Sequence, residues 1–99
     1  MIIKFFDYSG EFCTRRTTPG LLELKETLRR ELGKGTFVIL SLEGVKIITP
    51  SYIDELLPIL MIELGKEKVL GQIKFEPKLN KYVEGQIERG YRARVPVIP

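Results

Sequence analysis

The sequence predicts an α/β fold: an N-terminal hairpin followed by strand-helix repeats, giving a mixed, mainly parallel sheet with about three helices. Three observations lead there. Residues 36–42, TFVILSL, are apolar at most positions, as in a central parallel strand covered on both faces. Thr18-Pro19 supplies an N-cap and a proline at the first helical position, and Leu21, Leu24, Leu28 and Leu32 then repeat on one narrow stripe until Gly33. From there to the C-terminus strand and helix signals alternate, the pattern of parallel strands joined by right-handed crossovers.

The elements follow in order. Ile2 to Phe6 and Glu11 to Thr14 carry strand propensity on either side of Asp7-Tyr8-Ser9-Gly10, a turn-forming cluster, which predicts the hairpin. The leucine-striped helix covers the sheet, and on its other face Glu26 precedes Arg30 by four residues, a solvated pair. After the core strand, Glu43-Gly44-Val45-Lys46 lets the chain leave the sheet, and Ile47-Ile48 re-enter apolar surroundings. Thr49-Pro50-Ser51 then opens a helix, with Ser51 and Asp54 spaced as in a capping box and Pro50 holding Thr49 extended. A hydroxyl at such a helix N-terminus suits phosphate, because backbone N–H groups and the positive end of the dipole converge there.

On this helix Ile53, Leu56, Leu57, Leu60, Met61 and Leu64 form the stripe expected to face the core. Tyr52, Pro58, Ile59 and Ile62 lie toward the other side, interrupted mainly by Glu55, so the helix is apolar nearly all round. Either a neighbouring helix covers that second stripe, or it is a partner or self-association surface. Pro58 removes a backbone bond and should bend the helix. Val69 to Glu76 reads as a strand through Ile73 and Phe75, and Leu79, Tyr82, Val83, Gln86 and Ile87 form a last helical stripe. Val95 and Val97 suit an edge strand or a tail, since Pro96 and Pro99 exclude a central position.

A length of 99 residues fits one domain, 1–99, built on one core. No apolar run approaches the roughly 20 residues that span a bilayer. The start MIIKFF lacks the features of a signal peptide, and a cytoplasmic protein without membrane contact is expected. Cys13 is the one cysteine and there is no histidine, which removes an intrachain disulfide, a Cys/His zinc site and any histidine-based triad. Cys13 should pack within a strand. Asp54 and Glu55 point about 100° apart on a helix and make no acid-base pair, and Gly33, Gly35 and Gly44 make no phosphate loop. No enzymatic activity, cofactor or metal is expected.

The net charge of +3 comes from 16 basic and 13 acidic residues mixed along the chain, which does not favour nucleic acid as a partner. Arg89, Arg92 and Arg94 with Tyr91 are the one basic and aromatic cluster, at a helix C-terminus where arginines complement the dipole. Arg15 and Arg16 are expected to pair with Glu11 and Glu23.

Three segments together resemble one family. Phe12-Cys13-Thr14-Arg15 precedes the first helix, Val38-Ile39-Leu40-Ser41-Leu42-Glu43-Gly44-Val45 looks like a core strand with a Gly-Val exit, and Ile48-Thr49-Pro50-Ser51-Tyr52-Ile53-Asp54-Glu55-Leu56 looks like a signature helix start. They are similar to STAS-like domains, relatives of the bacterial anti-sigma-factor antagonists, and cover most of the chain. The resemblance implies a non-enzymatic regulatory domain that binds an anti-sigma or GHKL-type ATPase partner through the helix starting at Ser51. It also implies that Ser51, with Thr49 beside it, is a phosphoacceptor or a helix cap, and that Tyr52, Glu55, Pro58, Ile59 and Ile62 are the partner-binding residues. Unmodified protein would bind and phosphorylated protein would release. Thr49 stands where the antagonists have Asp, and Tyr52 where they have a small residue, which favours the cap. The alternatives are a small anion or nucleotide-binding module at the same terminus, or a domain that homodimerises through the outer stripe.

Overall fold

Residues 1–14 and 18–95 are described by the computed structural model, and they form five short strands and six helices. In chain order these are β1 (Ile2–Lys4), α1 (Phe6–Ser9), β2 (Phe12–Cys13), α2 (Pro19–Gly33), β3 (Val38–Ser41), β4 (Ile47–Ile48), α3 (Pro50–Asp54), α4 (Leu57–Leu64), α5 (Lys66–Gln72), β5 (Ile73–Glu76) and α6 (Lys81–Arg94). β3 lies between β1 and β5, and both pairings are parallel, with Ile2 opposite Ile39 and Leu40 opposite Phe75. β2 and β4 form a second, two-stranded parallel ladder. Every strand pair among the described residues is therefore parallel, in an α/β fold.

The expected N-terminal hairpin does not form. Asp7, Tyr8 and Ser9 instead belong to the helical turn α1, where Ser9 N–H donates to the Phe5 carbonyl and Gly10 N–H to the Phe6 carbonyl. Turn-forming residues close a helical turn as readily as a β-turn. Tertiary burial decides: the turn drives Phe5 fully into the core and sends β1 and β2 to different sheets.

α2 matches its sequence signals. Thr18 Oγ1 accepts from Leu21 N–H at 3.1 Å, Pro19 fills the first helical position, and Leu21, Leu24, Leu28 and Leu32 are all fully buried. The Leu32 carbonyl in its last turn is met from outside by Gln72 Nε2 at 3.2 Å, which also donates to the Thr36 carbonyl beyond the helix at 2.9 Å. The expected Glu26 to Arg30 pair is not the one formed. Arg29 takes both Glu26, three residues back, and Glu63 on α4, its Nε and Nη2 contacting Glu63 at 2.6 and 2.9 Å. Arg29 holds the Glu63 carboxyl below its usual range, chiefly through the side-chain hydrogen bond.

β3 was expected to be covered on both faces, and it is covered on one. Val38 and Leu40 are buried toward the helices, whereas Ile39 and Ser41 remain partly exposed on the other side. Ile2, on the same outer face as Ile39, is 65% exposed. The last third also departs from expectation, because residues 66–72 form α5 and the strand begins only at Ile73. Within Lys66 to Gln72 only Val69 is β-branched, and lysines, glutamate, leucine and glutamine favour a helix. Gly65, at φ +102°, marks its start. Among the described residues no helix is long and apolar enough to cross a membrane. Of the C-terminal edge strand, Val95 follows α6 and the rest lies outside the described residues, as do Arg15 and Arg16.

Candidate functional site

The helix read as continuous from Ser51 to Leu64 is two helices. α3 ends at Asp54, Glu55 and Leu56 form a turn, and α4 begins at Leu57 with Pro58 in its first turn. Pro58 therefore starts a helix where a bend was expected, because a proline without N–H costs least in a first turn. The carbonyl of Glu55, left at the break, accepts from Lys25 Nζ at 3.2 Å, and the same ammonium lies 3.7 Å from the Glu55 carboxylate. That ties the break to α2.

The break redirects the side chains. Tyr52, expected on the outer stripe beside Ser51, is fully buried. Its hydroxyl lies 2.6 Å from Ser9 Oγ, and its ring meets Phe5 edge to face at 6.1 Å. Burial pushes the Tyr52 phenol up to about 12. Cys13, packed in β2, is buried next to it, and burial raises its thiol pKa as well. Pro58 is buried too, so neither Tyr52 nor Pro58 offers a partner surface. Glu55 and Ile59 are half-buried, and Ile62 alone of the five expected contact residues is exposed.

Of the second stripe, Pro58 is covered by α6, Tyr52 is buried against Phe5 and Ser9, and Ile62 stays exposed. α6 packs along α3 and α4, and the contact is close at Gly90, where an added Cβ would lie 2.3 Å from Asp54 Oδ1 and 2.8 Å from Pro58 Cγ. Asp54 does not reach back to cap α3. It takes Arg94 through paired contacts, Nη1 to Oδ1 at 2.9 Å and Nη2 to Oδ2 at 3.2 Å, while Gln86 Nε2 donates to Oδ1 at 3.1 Å. The Asp54 carboxylate raises the Arg94 pKa. Arg92 pairs with Glu88, Arg89 donates to Gln86 and to the Tyr82 carbonyl, and Lys66 Nζ lies 5.0 Å over the Tyr91 ring. The three arginines of the basic and aromatic cluster thus each make a contact within the chain.

The cap of α3 is Thr49. Its Oγ1 accepts from Tyr52 N–H at 3.4 Å, lies 3.1 Å from Ser51 Oγ, and is within 3.5 Å of the carbonyls of Cys13 and Thr14. Thr49 N–H donates to the Cys13 carbonyl at 3.0 Å, so the threonine also fastens β4 to β2. Ser51 stands in the first turn with its hydroxyl against Thr49, not at the cap. In that turn Pro50 has no N–H, Tyr52 N–H goes to Thr49 Oγ1 and Ile53 N–H to the Thr49 carbonyl. A helix of five residues with those donors engaged makes a poor anion cradle.

Beside this helix start lies a feature that sequence reasoning missed. Phe12 and Ile47 sit opposite one another in the β2-β4 ladder, and both point outward, 55% and 49% exposed. The signal was the alternation Phe12 out, Cys13 in, visible only once β2 was known to pair with β4. Among the described residues no group of three His, Cys, Asp or Glu is placed to hold a metal ion. Comparison of the chain with protein-family models, with curated proteins and with solved structures finds no match.

Proposed function

We propose that this chain is a STAS-like, non-enzymatic protein-interaction domain whose partner is an anti-sigma or GHKL-type ATPase. The contact face is the start of α3 together with Phe12 and Ile47. The single observation that carries this reading is the exposed apolar pair Phe12 and Ile47, set one ladder step from the segment that leads into Thr49-Pro50-Ser51. Two adjacent apolar side chains on a two-residue ladder gain nothing from exposure, and on a partner they would form a small anchoring patch. A phosphate on Ser51 would add about −1.5 to −2 charge near that patch and three residues before Asp54, which penalises an apolar contact there. The anion or nucleotide reading is weaker, since α3 offers few free donors.

Affinity capture with the purified chain is expected to recover a GHKL-type ATPase, and the recovered ATPase is expected to bind in calorimetry. Phe12→Glu and Ile47→Glu should each weaken that binding at least tenfold, Ser51→Asp should weaken it, and Ser51→Ala should leave it unchanged. Binding that survives both glutamate substitutions overturns the proposed face. Sedimentation that shows a concentration-dependent dimer, lost in Phe12→Glu, assigns the same patch to a second copy of the chain.

A further inference from the structure

β5 is an edge strand with one neighbour in the sheet, β3. Leu42 N–H donates to the Glu76 carbonyl, so along β5 the backbone groups of Lys74 and Glu76 turn toward β3. Those of Ile73 and Phe75 turn away from the sheet, because strand backbone groups alternate in direction. Pro77, with no N–H, ends this free edge. Unpaired N–H and C=O groups in a row are a template for another strand. The side chains along the edge are incompletely covered as well. Ile73 and Phe75 face the helices yet stay partly exposed, and Leu70, which shares with them the lining of a cleft of about 350 Å³, is 48% exposed. Phe75 is fixed in place, its ring stacked on that of Phe5 at 6.2 Å.

On the outer face of the same strand Lys74 and Glu76 are exposed, and among the described residues no ion pair engages either. The order Lys74-Phe75-Glu76 decides what fits the edge. Where two antiparallel copies of it meet about Phe75, each Lys74 stands opposite the second copy's Glu76. The two phenylalanines then stand opposite one another and exchange both backbone bonds. Pairing centred on Lys74 or on Glu76 sets like charges opposite each other instead. The other edge strand, β1, has no such spacing: its one charged residue, Lys4, already pairs with Glu43 at 3.4 Å.

We propose that β5 is a self-association edge, on which a second copy of this chain pairs antiparallel about Phe75 and joins the two sheets into one. A two-fold axis normal to the sheet keeps the helices of both copies on one side, so Ile73 and Phe75 of each copy gain cover from those of the other. The edge is separate from the Phe12 and Ile47 face and stands or falls independently of it.

Sedimentation equilibrium of the full chain at several concentrations tests it. The wild type should form a concentration-dependent dimer, and the Phe75 amide should exchange its hydrogen more slowly as the dimer forms. Lys74→Glu and Glu76→Lys, both at exposed positions, should each weaken the dimer at least about fivefold, because each replaces two opposite-charge pairs by like-charge pairs. The double variant Lys74→Glu/Glu76→Lys should regain the wild-type affinity, and an equal mixture of the two single variants should associate where neither does alone. Phe12→Glu should leave the dimer intact. A wild type that stays monomeric leaves the edge to a foreign strand and overturns the proposal. A dimer indifferent to both single substitutions, a double variant as weak as the singles, a mixture that does not associate, or a dimer lost in Phe12→Glu would do the same.

Discussion

Thr49 and Ser51 carry hydroxyls two residues apart, and the structure gives them different work. Thr49 holds the cap and the β2-β4 junction, while Ser51 contributes one contact to Thr49. Thr49→Ala should therefore cost about 1 kcal/mol in denaturant unfolding, and Ser51→Ala less than about 0.5. Equal losses would return the cap to Ser51. Tyr52 makes a second prediction at this scale. Its phenol is held at about 12 by burial, above the ordinary value near 10, so the folded chain keeps a proton that the unfolded chain releases. Stability from this group is complete below pH 10 and drains away as pH rises from about 10 to 12. Tyr52→Phe should flatten that alkaline decline, measured as unfolding free energy against pH. An unchanged slope would mean that the tyrosine titrates freely.

At the scale of elements the decisive event is the break at Glu55 and Leu56. A wheel drawn at 100° per residue from Ser51 to Leu64 places Ile53, Leu57, Leu60 and Met61 correctly in the core, because a core position tolerates some error in phase. Tyr52 cannot be placed that way. The turn between α3 and α4 resets the phase, and local sequence contains no sign that Lys25 of α2 would satisfy the Glu55 carbonyl left there. α2 was legible throughout because its cap, proline, stripe and stop agree with one another, and α5 was not, because a single valine and the strand after it were read as one element. The packing of α6 on α3 and α4 depends on contact between residues far apart in sequence, and it is close at Gly90. Gly90→Ala should cost about 1–3 kcal/mol, since its Cβ meets the Asp54 carboxylate and the Pro58 ring, which are both fixed. Gly71→Ala, with nothing within 4 Å in α5, should instead stabilise by about 0.5–1 kcal/mol. Arg94→Ala should cost about 1–2 kcal/mol, through the loss of a bidentate contact to a carboxylate that is only 13% exposed.

For the molecule as a whole, the main consequence is that a three-stranded parallel sheet carries its helices on one side. Parallel sheets are almost always covered on both, and a continuous apolar strand such as Phe37 to Leu40 normally reports that. Here the run mixes two environments: Val38 and Leu40 face α2 and the core, and Ile39 faces outward with Ile2, Lys4, Lys74 and Glu76. Sequence hydrophobicity could not separate them, because isoleucine suits an exposed strand position through its β-propensity as well as a buried one through its volume. Paired substitutions distinguish the environments. Leu40→Ala should cost about 2–5 kcal/mol, the loss of a fully buried side chain with a cavity left behind. Ile2→Thr and Ile39→Thr keep β-branching and should change stability by no more than about 0.5 kcal/mol each. If either threonine substitution instead costs as much as Leu40→Ala, the outer face is buried in solution. A stability that then rises with protein concentration would identify the cover as a second copy of the chain, through the mass action that ties folding to association.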